Sequence, residues 1–230
     1  MVSTYTERKF LEGYVKRVVP YIARTQYTAV LKALGKGKKL RVLDAGCGPG
    51  YLTERIAGQG HAVIGLDSSK EWMEFCRVKW PGKNPKYMQG NITSLTMFED
   101  STFDAVTMNM VLLAISRLNS VDLAMKEAYR VLKPGGRLIS TDLYLASVMA
   151  HNVERTVRLG KGFSFDKAGG EYKTTLVLRG GRFTFYNVHW PLQTCTELLQ
   201  RLGFSTTIRE VINRQFGVPE YLLYVATKPE

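Results

Sequence analysis

The chain has 230 residues, 45% of them hydrophobic, and a formal net charge of +12. That length and apolar content suit one α/β domain with modest additions and exclude a disordered chain. Residues 1–9 are polar and no long uninterrupted apolar run follows, so neither a secretory leader nor a membrane span is expected, and the cytoplasm is the expected location.

Residues 5–34 read as one or two helices, with Phe10, Tyr14, Val18, Tyr21, Ile22 and Leu31 on an apolar side and Pro20 breaking or kinking the run. An apolar strand from Arg41 then ends on Asp44 and Ala45 and breaks into Gly46-Cys47-Gly48-Pro49-Gly50. Glycine adopts positive φ and admits close approach, so three at alternate positions after a strand describe a turn around a small ligand. Asp44 sits poorly beside a pyrophosphate and suits a ligand bearing a cationic amine. A phosphate-binding loop is disfavoured because no Lys-Ser/Thr pair closes the glycine run. Cys47 reads as a small residue in the loop rather than a nucleophile.

Residues 51–57 read as a helix stopped by Gly58, and residues 61–66 as a second strand ending at Asp67. A carboxylate about 20 residues past such a loop can accept from both hydroxyls of a ribose. Cys47, Cys76 and Cys195, and His61, His151 and His189, have no C-x-x-C or H-x-x-x-H spacing. Neither disulfides nor a metal site is expected.

Further segments follow in order: Lys86-Tyr87-Met88-Gln89-Gly90-Asn91-Ile92, then Phe103-Asp104-Ala105-Val106-Thr107-Met108-Asn109-Met110, then a helix, turn and strand over residues 128–139. With the glycine loop and Asp67, these make residues 40–143 resemble the class I S-adenosylmethionine-dependent methyltransferases. Residues 196–228 resemble them more weakly. The resemblance implies an α/β, Rossmann-like, seven-stranded sheet, mainly parallel with an antiparallel last strand, and S-adenosylmethionine as cofactor. It implies that Gly46, Gly48 and Gly50 admit the methionine and ribose portions, with Asp44 and Cys47 in the same loop. Asp67, with Ser68 beside it, would bind the ribose. Asn91 stands where many relatives have Asp; its amide oxygen could accept from the adenine amino group while the Ile92 N–H donates to a ring nitrogen. Asn109 and Met110 would line the adenosine and the reaction side.

Residues 144–190 depart from the minimal core. Two alternating runs, 171–178 and 182–188, flank Gly180-Gly181 and read as a β-hairpin covering the acceptor pocket. Tyr144, His151, Tyr186 and His189 are its candidate polar contacts. His189 or His151 could act as base for an acceptor that carries a proton. Val111-Leu112-Leu113-Ala114-Ile115 offers no base where many relatives place histidines, so the pocket is expected to be more apolar there.

The division expected is a helical lid (1–39), a cofactor core (40–143), a cover (144–190) and the end of the sheet (191–230). The preferred function is methyl transfer to an O or N nucleophile of a small molecule. Basic residues cluster between Arg8 and Arg41 and again between Arg155 and Arg182, so RNA is the alternative acceptor. A cofactor-binding, non-catalytic partner protein is the reading from another class.

Overall fold

A computed structural model describes residues 12–151, 155–178, 181–213 and 216–230. The basic residues Arg8 and Lys9, the apolar Phe10 and the hairpin tip at 179–180 lie outside them. An N-terminal helical run, α1, alternates π-helical Tyr14–Val18, α-helical Val19–Ile22, π-helical Ala23–Tyr27 and α-helical Thr28–Leu34. Pro20 does not break it. A proline removes one N–H and crowds the preceding turn, and the wide π turns on either side leave room for that.

The remaining elements are β1 (Arg41–Ala45), α2 (Tyr51–Gly58), β2 (Ala62–Asp67), α3 (Lys70–Lys79), β3 (Lys86–Gln89), β4 (Phe103–Asn109), α4 (Leu118–Val131), β5 (Leu132–Leu143), α5 (Leu145–His151), β6 (Arg155–Leu159), β7 (Gly170–Leu178), β8 (Gly181–His189), α6 (Leu192–Arg201), β9 (Ser205–Asn213) and β10 (Val218–Thr227). Helix α2 runs through Gly58, and it is Gly60, at φ 91°, that takes the left-handed conformation beyond its end.

The main sheet has the order β3-β2-β1-β4-β5-β10-β9. Its first five strands are parallel, while β10 runs antiparallel to both β5 and β9. The expected fold class is present, antiparallel last strand included. Val42, Leu43 and Ala45 are fully buried, as a strand covered on both faces requires. One apolar cluster joins α4 and α6 to one face of the sheet; a second joins α1 and α2 to the other.

The expected hairpin is β7–β8, paired from Gly170↔His189 to Leu178↔Gly181. A third strand, β6, pairs antiparallel with β7 and was not expected from the sequence. Most of α1 is not a lid. Val30 and Leu34 are buried against the sheet, and the Arg137 guanidinium donates to the carbonyls of Ala33 (2.8 Å) and Leu34 (3.1 Å), fastening the end of α1 to β5.

Candidate active site

A cleft of about 1160 Å³ opens beyond the carboxyl ends of β1, β2 and β4. In the order 3-2-1-4-5 the chain leaves β1 and β4 toward opposite sides, and the gap between those strand ends is where open α/β sheets bind ligands. The glycine loop, the β2 end, the β4 end and the cover sheet all contribute to its walls.

The loop is built against β2. The N–H groups of Gly46 and Cys47 both donate to the Leu66 carbonyl (2.7 and 3.0 Å), and the Gly48 N–H donates to Asp67 Oδ2 (2.8 Å). Gly46, at φ 78°, could not carry a side chain, since a Cβ would stand 2.5 Å from Val111 Cγ2. Gly48 differs. It also has positive φ, yet a Cβ there would meet nothing within 4 Å and would project into open space. Gly48 is thus the glycine of this loop with open space at its backbone, on the cleft wall.

Gly50 and Cys47 do not line the cleft. A Cβ on Gly50 would lie 2.5 Å from the Tyr87 hydroxyl, so this glycine makes room for the ring that donates to Glu54 Oε1 (2.9 Å) and supports the loop from behind. Cys47 is buried with Cys76, Trp72 and Met73, and both thiols point at the Gly48 carbonyl. Burial pushes the Cys47 thiol up, which leaves it a protonated packing group.

Asp44 is also displaced from its expected role. It is 1% exposed and absent from the cleft wall; Thr53 Oγ1 donates to its Oδ2 (2.6 Å) and Thr107 Oγ1 to its Oδ1 (2.7 Å). It therefore ties α2 and β4 to β1 beneath the loop. Burial pushes its carboxyl up to about 6, and the two hydroxyl hydrogen bonds limit that rise.

Asp67, Ser68, Asn91, Ile92, Asn109 and Met110 do come together on the cleft wall. Asp67 Oδ1 accepts from the Ser69 N–H (2.9 Å) and Oδ2 from the Gly48 N–H (2.8 Å), and the Ser68 N–H also donates to this carboxylate, whose four lone pairs are therefore not all taken. Burial raises this carboxyl, and the Ser69, Gly48 and Ser68 N–H donors oppose the shift. Asn91 corrects the expectation in part. Its Oδ1 accepts from both the N–H and the hydroxyl of Thr93 (3.0 Å each), a local turn that uses the oxygen intended for the adenine amino group. Asn109 Oδ1 accepts from Thr141 Oγ1 (2.7 Å), and Met110 stands at φ 58° with its N–H donating to the Thr141 carbonyl (2.9 Å). A non-glycine residue held in the left-handed region at a strand mouth is strain of the kind that concentrates at functional sites.

The three candidate catalytic residues are elsewhere. His189 and Tyr144 line a separate cavity of about 170 Å³ beside the buried Asp142, and Tyr172 and Val188 stand between it and the cleft, lining both. His189 Nε2 donates to the Phe165 carbonyl (3.0 Å), its ring sits against Phe163 and Phe165, and burial lowers its pKa. His151 is at the exposed end of α5, with Nδ1 2.8 Å from the Ser147 carbonyl. Neither imidazole lines the cleft: Tyr172 and Val188 stand between it and His189, and His151 lies at the exposed end of α5. His189→Ala is therefore expected to leave kcat within about twofold of wild type, whereas loss of a working base would cost about 100-fold or more. A steady-state assay of methyl transfer decides it.

Sequence reasoning missed Tyr14 and Trp72, whose rings lie 5.8 Å apart on the cleft wall, and Arg158 and Lys173 on the cover. Nothing local marks Trp72. It enters through the N-cap of α3, where the Ser69 hydroxyl accepts from the Trp72 N–H (3.1 Å) and fixes the first turn. Val111, Leu113, Ala114 and Ile115 form an apolar floor, as expected.

Comparison with known proteins bears on the same segment. Residues 43–140 match the family model described as a methyltransferase domain. A malonyl-[acyl-carrier protein] O-methyltransferase of Erwinia pyrifoliae is 38% identical over 107 residues, 46% of this chain and 38% of that protein. A demethylmenaquinone methyltransferase of Tropheryma whipplei is 32% identical over 160 residues, 64% of this chain and 62% of that protein. The matches thus span less than two thirds of either relative. Among solved structures, a Burkholderia thailandensis 1,6-didemethyltoxoflavin-N1-methyltransferase with S-adenosylhomocysteine bound superimposes with a TM-score of 0.63 at 21% identity, covering 96% of this chain and 86% of that one. At that identity the likeness is one of fold.

Proposed function

We propose, from the match of residues 43–140 to the methyltransferase-domain model, that the chain is a class I, S-adenosylmethionine-dependent methyltransferase and that it methylates an oxygen or nitrogen of a small organic acceptor held in the cleft. The observation that carries this reading is the open cradle at Gly48 facing the Asp67 carboxylate, with Asn109 and Met110 across the gap. These groups fit the cofactor: a carboxylate with spare lone pairs for vicinal hydroxyls, and a backbone with no side chain in the way. When bound, S-adenosylmethionine supplies a methyl group on a cationic sulfur.

In this proposal Gly46 and Gly48 admit the cofactor to the backbone, Asp67 accepts from the ribose hydroxyls, and Ser68 flanks it. The Ile92 N–H faces the adenine edge, where the amide NH₂ of Asn91 can donate to a ring nitrogen but does not accept from the amino group. Asn109 and Met110 border the reacting side. The apolar floor excludes water and confines the acceptor, which is most of what an in-line transfer asks of a protein. The 40–143 segment acts as the cofactor core and 144–190 as the cover. The relatives named above as acting on an acyl-carrier-bound malonyl group and on demethylmenaquinone support an acceptor other than RNA. Among the described residues no helix is long and apolar enough to cross a membrane, and we place the activity in the cytoplasm.

The test is incubation of the protein with methyl-labelled cofactor and, in parallel, a metabolite extract and an RNA extract. Label in the metabolite fraction is expected. Label in RNA would transfer the assignment to the basic surface, and cofactor binding with no labelled product in either would favour the non-catalytic partner protein.

A further inference from the structure

The cover sheet presents a charged row to the cleft. Side chains alternate across a strand, and the register sets Arg158 on β6 opposite Lys173 on β7, and Lys173 opposite Tyr186 on β8, so the three share one face. All three line the cleft. Lys173 Nζ lies 5.5 Å from the centre of the Tyr186 ring, which is 52% exposed. Among the described residues neither Arg158 nor Lys173 forms an ion pair with a carboxylate. Glu171 is on the same face two residues from Lys173, opposite Val188, so the row keeps a net positive charge.

Like charges directly opposed across an antiparallel pair repel. An anion between them replaces that repulsion with two charge-assisted contacts, and a guanidinium beside an ammonium suits a carboxylate or phosphate. The floor of Val111, Leu113 and Ile115 in the same cleft is apolar. We propose that the acceptor is an organic anion, with its apolar body on this floor and a carboxylate or phosphate group between Arg158 and Lys173. The inference rests on the reading of the cleft as a methyl-acceptor site. Two cations over a short apolar floor accommodate one anionic group; a nucleic-acid backbone would call for a longer cationic track.

Calorimetry on the full chain with octanoate, octyl phosphate and octanol as probes tests it. At least one anion should bind about tenfold more tightly than octanol. The Arg158→Ala/Lys173→Ala double variant should lose that margin, and Arg158→Lys/Lys173→Arg should keep most of it, while S-adenosylmethionine affinity stays at the wild-type value in both. Equal binding of octanol, no binding of either anion, or an unchanged preference in the alanine variant overturns the proposal. The labelling assay separates its failure from that of methyl transfer. Label entering RNA, or only metabolites that an anion exchanger fails to retain, overturns the anion site and leaves methyl transfer standing. If nothing is labelled but the anion preference is lost in the alanine variant, the site stands and methyl transfer falls.

Discussion

Asp67→Ala is expected to weaken S-adenosylmethionine binding by about 100-fold or more, read by calorimetry on the free protein. Two hydrogen bonds to a charged acceptor contribute about 1.5–3 kcal/mol each, and each 1.4 kcal/mol is about tenfold in affinity. The ribose hydroxyls would lose both. A second effect adds to the first: Asp67 Oδ2 holds the Gly48 N–H and Oδ1 the Ser69 N–H, so the same substitution frees the glycine loop from the end of β2. Asp67→Asn separates the two contributions, since its single carbonyl oxygen can hold the loop or accept from the ribose but cannot serve every donor. Far-ultraviolet circular dichroism confirms that each variant is folded. Wild-type affinity in the folded Asp67→Ala protein would refute the ribose assignment.

Glu220→Ala is expected to lower stability by about 3 kcal/mol, which for a domain of this size moves the thermal midpoint down by about 6–12 °C. Glu220 is fully buried on β10 and collects donors from three elements. Its Oε1 accepts from the hydroxyls of Tyr21 on α1 (2.7 Å) and of the adjacent Tyr221 (2.8 Å), and its Oε2 accepts from Asn213 Nδ2 on β9 (2.7 Å). Removing the carboxylate takes one acceptor from all three donors at once, and a donor left short of an acceptor costs more than the bond itself contributes. Glu220→Gln should recover only part, because its amide NH₂ would face the Asn213 NH₂ or a tyrosine hydroxyl. The network also fastens α1, which carries Tyr14 to the cleft wall, so cofactor affinity should fall in parallel. A midpoint shift under about 2 °C in Glu220→Ala would show that the network contributes little.

The order of the core elements was legible in the chain. Glycines spaced by two after an apolar strand, a carboxylate at the end of the next strand, and period-two runs on both sides of Gly180-Gly181 are local patterns, and local backbone preferences act on neighbours in sequence. Asp67, Gly48, Asn109 and Met110 could be expected around one cleft because each ends a strand of one parallel sheet or stands in the loop that follows it. Elements without such marks were not foreseen. Strand β6 is joined to β7 by the glycine-rich stretch 160–169, far longer than the two-residue turn that marks a tight hairpin, and β9 alternates burial only weakly, from an exposed Ser205 to a buried Asn213. Helix α3 starts on a serine cap that only its Trp72 N–H partner makes visible.

By itself the sequence determined a Rossmann-like sheet with a glycine loop at its switch point, since strand alternation and glycine φ are properties of short stretches. Only the tertiary structure decided which residues of that pattern face the cleft. Asp44 and Gly50 belong to the motif yet turn inward, toward Thr53 and Thr107 in one case and Tyr87 in the other. His189 falls behind the cover, and Arg158 meets Lys173 across it. The reason is geometric: facing is set by strand register and by contacts between distant residues, such as Tyr21 with Glu220, 199 positions apart. No local pattern in the chain encodes such pairs.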